Sequence, residues 1–360
     1  MATSKHHKLA IWAVTPNGAE LIERLADSLP DADIYVSQSL DLKGFSHNRF
    51  EKLSAVVEEK FDRYSGHIFI MATGIVVRVL APLIQGKTRD PAVVVVDDLG
   101  KNAISLLSGH IGGANELTCK IARIIQANPV ITTATDVNRV PAIDVMAMEN
   151  GLTIENPGAI KNVNMALVKK KQIDVHDPFN FIEKKLLSLK TASFRKLPYN
   201  IKQISQQFDI NRNPILYIDD AVVDLPSQVL VLRPPTLAAG IGSNRGTDSQ
   251  EINDLLRQVL DTNHLALSSL TCLASIDVKN DEAGLIEVAK TLGLPLIFYG
   301  REELNQVTGI KNPSAVVEKH IGVKSVCEAA AILASRNGML IVPKNSTKNV
   351  TVAIARISFL

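Results

Sequence analysis

The chain has 360 residues, 46% hydrophobic and 21% charged, with a formal net charge of +2 at pH 7. That length exceeds what one hydrophobic core ordinarily supports, so two or three domains are expected. The near-neutral balance argues against a nucleic-acid partner held mainly by bulk charge, and no apolar run approaches the length of a bilayer span.

The opening MATSKHHKLAIWAVTPNG carries only a brief apolar run before Pro16 and Gly18. It suits a first strand rather than a signal peptide, and a cytoplasmic location is expected. Lys8 to Val14 reads as that strand, with a turn at Thr15-Pro16-Asn17-Gly18. Leu21, Ile22, Leu25 and Leu29 then recur at helical spacing, ending before Pro30. Asp33 to Val36 is a second strand, and residues 48 to 63 read as one amphipathic helix with Phe50, Leu53, Val57 and Phe61 on a single face. His67 to Met71 is a third strand. Val93 to Val96 is apolar on both faces, as a central strand should be. A turn at 99–102 leads to Ala103–Leu107 as the return arm of a hairpin, followed by a helix through Ile125 and a strand at Pro129–Thr133. Such alternation implies right-handed crossovers and a mostly parallel sheet.

The texture changes after residue 140. Helices are expected at Ile143–Glu149 and Ala159–Lys169, with Pro157 near the start of the second. Short strands follow at Ile173–Val175, Ile215–Ile218 and Val229–Leu232, with a Lys-rich helix near 180. Pro234-Pro235 reads as a linker. Leu237–Ile241 restarts as a strand, and Thr247 is placed to cap the helix after it. Strands at Leu270–Ser275, Leu296–Tyr299, Met339–Val342 and Val350–Ile357 alternate with helices at about 281–292, 314–321 and 325–336. The whole is a multi-domain α/β chain: a mostly parallel α/β N-terminal domain over 1–135, a small α/β middle domain over 136–230 and an α/β C-terminal domain over 236–360.

Three segments within Met71–Ala122 are shaped for a ligand. Ala72-Thr73-Gly74 ends a strand and leads into an apolar helix bearing Arg78. Lys87-Thr88-Arg89-Asp90-Pro91 is a charged loop feeding the Val93–Val96 strand. Ser108-Gly109-His110-Ile111-Gly112-Gly113-Ala114-Asn115 is glycine-rich and opens another helix. Glycines before a helix let a bound group approach the backbone, and free N–H groups there favour an anion. His110 is the histidine within that loop and is the candidate acid or base; its bland role is to orient the loop. Gly112 and Gly113 are placed to present N–H groups to a carboxylate or oxyanion. Ser108 lacks the elbow signature of an acyl-serine nucleophile. Arg78, Lys87, Arg89 and Arg245 are the candidate anion clamps. Asp90 and Asp136 sit at loop edges and also suit turn formation. Cys119, Cys272 and Cys327 are too scattered for a zinc motif or a disulfide framework and read as small buried apolar residues. No phosphate-loop lysine and no complete dinucleotide fingerprint is present, so no nucleotide cofactor is supported.

The motifs TGIVVRVLAPL, KTRDPAVVVVDD, LLSGHIGGANELT and PVITTATDVN occur in that order, followed by GIGSNRGT at 240–247. Together they resemble the cobalt-precorrin-5A hydrolases of anaerobic cobalamin biosynthesis. The resemblance implies hydrolysis of cobalt-precorrin-5A to cobalt-precorrin-5B, with opening of a lactone and loss of a two-carbon fragment as acetaldehyde. It implies no protein-bound cofactor or metal, because the cobalt arrives in the anionic tetrapyrrole substrate. Hand-off to pathway methyltransferases is the implied partnership, with neither nucleic acid nor membrane. His110 is the catalytic candidate from its place in the glycine-rich loop, activating water or shuttling a proton, and the resemblance leaves the general base open. Carried over by motif, Thr73, Gly74, Arg78, Lys87, Arg89, Asp90, Ser108, Gly109, Gly112, Gly113, Asn115, Asp136, Gly240, Gly242, Arg245, Gly246 and Thr247 bind substrate. Ser243 and Asn244 depart from the family's usual Cys and Arg in the last motif, which puts obligatory thiolate chemistry there in doubt. A non-catalytic carrier of cobalt-tetrapyrroles would use the same loops. An α/β enzyme acting on a phosphorylated metabolite is supported only by the anion-friendly helix starts.

Overall fold

Strand β1 (Leu9–Ala13) explains the first sheet. Ile11 and Ala13 point into one apolar cluster, while Ala10 and Trp12 point into another. A strand buried on both faces must be covered by helices on both sides. The computed structural model describes residues 8–42, 44–86, 89–182, 186, 194–196, 213–313 and 322–358. The chain forms two compact units, Ala2–Met148 with Leu167–Lys170, and Glu149–Ala166 with Lys171–Leu360. Lys87, Thr88, the expected 314–321 helix and most of the Lys-rich helix near 180 lie outside the described residues. Among the described residues no helix is long and apolar enough to cross a membrane.

In the first unit, α1 (Pro16–Ala26) follows β1, its start capped by Thr15, whose hydroxyl accepts from the Gly18 N–H. Next come β2 (Asp33–Ser37) and β3 (Asn48–Phe50). Helix α2 is Leu53–Lys60, β4 is Gly66–Ile70, α3 is Thr73–Leu80 and β5 is Ala92–Val96. Then β6 (Asn102–Leu107), α4 (Ala114–Ile125), β7 (Asn128–Val130), α5 (Ala134–Val137) and α6 (Ile143–Glu149) complete it. The sheet order is β3-β2-β1-β4-β5-β6-β7. β1 to β5 are mutually parallel; β6 is antiparallel to β5, and β7 is parallel to β6. α1 and α4 cover one face, and α2 and α3 the other.

Two expectations for this unit are corrected. Residues 48 to 63 are not one helix: Asn48–Phe50 is an edge strand paired with β2, and the helix begins at Leu53. Phe50 reaches the core from the strand, so its place in an apolar series imitated a helical face. The strand at 129–133 stops at Val130, because Thr133 already leads the short helix α5 that carries Asp136.

In the second unit, β8 (Thr153–Ile154), β9 (Ile173–His176), β10 (Phe194–Lys196), β11 (Ile215–Ile218) and β12 (Leu230–Arg233) form a sheet ordered β10-β9-β11-β12-β8. Helix α7 is Ile160–Val168, preceded by a tight turn that opens at Pro157. A further sheet, β15-β14-β13-β17-β16, is built from β13 (Leu237–Ser243), β14 (Leu270–Ile276), β15 (Leu296–Tyr299), β16 (Met339–Ser346) and β17 (Val350–Arg356). Its helices are α8 (Ser249–Thr262), α9 (Ala283–Leu292), α10 (Arg301–Gln306) and α11 (Val326–Ala334).

Asp248 rather than Thr247 caps α8: its carboxylate accepts from the Gln250 N–H, while the Thr247 hydroxyl donates to the Asn244 carbonyl. The Pro234-Pro235 connection is no loose linker, since Pro234 and Thr236 are both buried. Arg356 forks onto Asp220 at 2.7 and 2.8 Å, and Thr236 donates to the same carboxylate at 2.6 Å. The two sheets of this unit are therefore joined by a charge pair whose carboxylate is fully buried and whose arginine is half-buried. Cys272 and Cys327 are buried as expected, but Cys119 is exposed on α4.

Candidate active site

Sheet direction sorts the sequence motifs into two groups within the first unit. Ile70 of β4 pairs with Val96 at the carboxyl end of β5. Thr73 and Gly74 therefore sit at the carboxyl edge of β1, β4 and β5, where the strand order reverses between β1 and β4. Thr15 and Asn17 meet Asp98 at that edge, the Asn17 amide donating at 2.9 Å. Arg78 folds back to the same place, its guanidinium donating to the Gly74 carbonyl at 2.8 Å.

β6 runs the other way, with Leu107 opposite Val93. Ser108 to Asn115 consequently lie at the edge where β5 begins, next to Arg89 and Asp90. Thr73, Gly74 and Arg78 are a strand length away, about 15 Å. One continuous loop cluster made from all three segments is therefore not what the fold builds.

The Ser108–Asn115 loop is packed on itself. Ser108 has a left-handed φ of 58°. A Cβ on Gly112 would lie 2.3 Å from the Ser108 Cβ, and one on Gly109 would lie 2.8 Å from Asn115 Oδ1. Both glycines thus serve the close approach of protein to protein. Gly113 precedes α4 at φ 84°, where a side chain would be strained. The N–H groups of Gly113, Ala114 and Asn115 donate to the carbonyls of His110, Ser108 and Gly109 at 2.9, 3.1 and 2.9 Å. The expected oxyanion role for the Gly112-Gly113 pair fails at Gly113, whose N–H is already committed. Ser108 Oγ is buried without a partner among the described residues.

His110 is the centre of what remains. Its Nε2 lies 2.8 Å from Asp136 Oδ2 and 3.1 Å from the Thr135 hydroxyl, and its Nδ1 lies 3.4 Å from Asp144 Oδ2. Asp136 also accepts from Thr133 at 2.5 Å and from the Asn115 amide at 3.1 Å. Asn115 is fixed in turn, accepting from Ser105 at 2.6 Å and donating to Thr133 at 3.0 Å. Side-chain exposure is 17% for His110, 42% for Asp136 and 6% for Asp144. The hydrogen bond to Asp144 raises the His110 pKa most; burial opposes it, and Asp136 adds to the rise. For Asp136, burial pushes upward, but the hydrogen bonds from Thr133, His110 and Asn115 together hold it below the ordinary carboxylate range. The arrangement sets the ring between an exposed and a buried carboxylate, both of which favour its protonated form.

Asp144 was not singled out from the sequence. The available signal was a lone carboxylate within the apolar run Ala142–Ala147, since a charge buried there needs a partner. Asp90, by contrast, accepts from the Gln85 and Gly86 N–H groups at 3.0 and 3.1 Å and closes its own loop. Arg89 is exposed beside it.

In the second unit, Arg245 is held by Asp281 at 2.7 Å and Glu282 at 3.2 Å, so a ligand anion must compete with two carboxylates. Gly246 donates its N–H to Glu282. A Cβ on Gly240 would stand 1.9 Å from the Cys327 carbonyl oxygen, so this glycine exists to admit α11 against β13. Gly242 lies further along the strand and borders a cavity.

Three family descriptions match consecutive parts of the chain: Cobalamin synthesis G N-terminal over residues 55–136, Cobalamin biosynthesis central region over 141–234 and Cobalamin synthesis G C-terminus over 237–355. The cobalt-precorrin-5A hydrolase of Priestia megaterium is 34% identical over 362 residues, covering 97% of this chain and 95% of that one. The chain belongs to the cobalt-precorrin-5A hydrolase family. The family's Salmonella typhimurium member is 34% identical, covering 94% of this chain and 95% of its own. Among solved structures, CobE, a protein from the cobalamin (vitamin B12) biosynthetic pathway, covers 34% of this chain and 92% of its own at 37% identity, with a TM-score of 0.33.

Proposed function

We propose that this chain hydrolyses cobalt-precorrin-5A to cobalt-precorrin-5B with release of acetaldehyde. The observation that carries the reading is the relationship along nearly the whole chain to two hydrolases of that name. Water adds to the lactone carbonyl, its two protons passing to solvent, and the acyl carbon–oxygen bond breaks, giving a carboxylate and a freed hydroxyl. The two-carbon fragment bearing that hydroxyl leaves as acetaldehyde when its bond to the macrocycle breaks. The electron pair stays on the macrocycle, and the hydroxyl proton passes to a base.

His110 moves the proton at Nε2. Its imidazolium, favoured by Asp144 and Asp136, protonates the departing oxygen, and the neutral ring so formed takes the hydroxyl proton of the next step. Asp136 is the exposed partner and the first of the group to meet substrate; Asn115 and Thr133 hold it in place. Arg78 and Arg89, on opposite edges of the sheet, are the cations of this unit assigned to the carboxylate rim. The cobalt is part of the substrate.

The test is single-turnover acetaldehyde release from cobalt-precorrin-5A by wild type and His110→Gln. Release by wild type, with binding but no release by the variant, is the expected result. Equal release by both would remove His110 from the chemistry. Binding without release by wild type would make the protein a carrier.

A further inference from the structure

The second unit contains a cavity of about 170 Å³ that none of the proton-moving residues touches. Its walls come from the end of β13 at Gly242-Ser243-Asn244, the first turn of α11, Lys279, and the β16–β17 turn from Lys344 to Thr351. Three lysines, Lys279, Lys344 and Lys348, line it, and no carboxylate does. Lys279 is tied to Glu282 at 3.5 Å. Lys344 and Lys348 make no ion pair among the described residues. Glu328, buried in the first turn of α11, accepts from the N–H groups of Lys311, Asn312 and Lys344 and from the Asn312 amide.

The Ser243 hydroxyl, on the cavity wall, is buried and has no partner among the described residues. A buried hydroxyl left without a partner costs free energy that a bound acceptor would recover. The first turn of α11 adds N–H groups whose dipole favours a negative charge. A space lined by two lysines without ion pairs, an orphaned hydroxyl and a helix start is built for one small anion, the nearby Glu251 carboxylate being held by Thr347 and Asn349. Its volume holds a carboxylate group and excludes a macrocycle, for which pockets run from several hundred Å³ upward.

We propose that this cavity is a socket for a single carboxylate, supplied by one acidic arm of the tetrapyrrole, with Ser243, Lys344 and Lys348 as its donors. Only the origin of the carboxylate rests on the proposed function; the anion site stands on the cavity itself. The departure at Ser243 acquires a role here, because a hydroxyl donates a stronger hydrogen bond to a carboxylate than a thiol does.

The experiment uses the full chain and three probes: tricarballylate and inorganic phosphate by calorimetry, and uroporphyrin, a metal-free tetrapyrrole with eight carboxylates, by its absorbance change. The variants are Ser243→Ala and the double variant Lys344→Gln/Lys348→Gln, both in exposed or half-buried positions that leave the core intact. The expected result is weaker binding of tricarballylate and uroporphyrin, by about tenfold or more in the lysine variant and about fivefold in Ser243→Ala. Undiminished binding of both probes by the lysine variant overturns the proposal. Loss of phosphate binding with tricarballylate and uroporphyrin unaffected also overturns it, in favour of a phosphate site. Acetaldehyde release, measured separately, reports on the hydrolase reading, so the two can fail independently.

Discussion

His67 offers a sharp test of how the first unit is held together. It is fully buried in β4, between the rings of Trp12, Phe61 and Phe69. Trp12 Nε1–H donates to its Nδ1 at 3.1 Å, and its Nε2–H donates to the Phe61 carbonyl at 3.0 Å. Both ring nitrogens are used by the neutral form, and a second ring proton would meet the indole N–H head on. Burial lowers the His67 pKa from 6.5 to about 4. Because the folded pKa is depressed, the unfolded chain binds more protons between those values, and stability falls as pH drops through that window. The full gap corresponds to about 3 kcal/mol, of which about 2 kcal/mol is lost between pH 7 and pH 5. The assay is urea unfolding followed by the fluorescence of Trp12, the chain's one tryptophan, which contacts His67 directly. The control is His67→Gln, whose amide can accept from Trp12 and donate to Phe61 without titrating. Wild type should lose about 2 kcal/mol more than the variant over this pH range. Identical pH dependence in the two proteins would refute the reasoning.

Two further predictions concern the charge pairs. Since Asp144 is the main influence raising the His110 pKa, the acid form is lost as pH rises through that raised value. Asp144→Asn should therefore move the alkaline limb of acetaldehyde release to lower pH; a pH–rate profile with an unmoved limb would show that the 3.4 Å contact carries no functional weight. In the second unit, Arg356→Met removes the fork that neutralises the fully buried Asp220. It should destabilise this unit by about 3 kcal/mol, read by calorimetry, and a change below about 1 kcal/mol would mean that the Thr236 hydroxyl suffices.

The strands of the first sheet were legible because their apolar runs are short, doubly buried and bounded by turn residues, as at Ala92–Val96. The Ser108–Asn115 loop was legible as special because glycines crowd it, but the same glycines misled about its use. They allow Ser108 and Asn115 to close the loop, and the N–H groups that a glycine-rich helix start suggests for a ligand are spent internally. The edge strand at Asn48–Phe50 was masked because three residues are too few for alternation to show, and Phe50 happened to fall on the helical period of the helix that follows.

By itself the sequence determined the family and the α/β alternation, and singled out His110 as a candidate, since these rest on local composition, period and motif order. Tertiary structure alone decided which motifs meet. A single reversal of strand direction, β6 against β5, puts His110 beside Asp136 and Asp144 and sends Thr73, Gly74 and Arg78 to the opposite edge. Partners that lie 26 and 34 residues apart, as Asp136 and Asp144 do from His110, leave no periodic trace in a chain. Their pairing is fixed by sheet direction and by the cost of burying Asp144 without a cation.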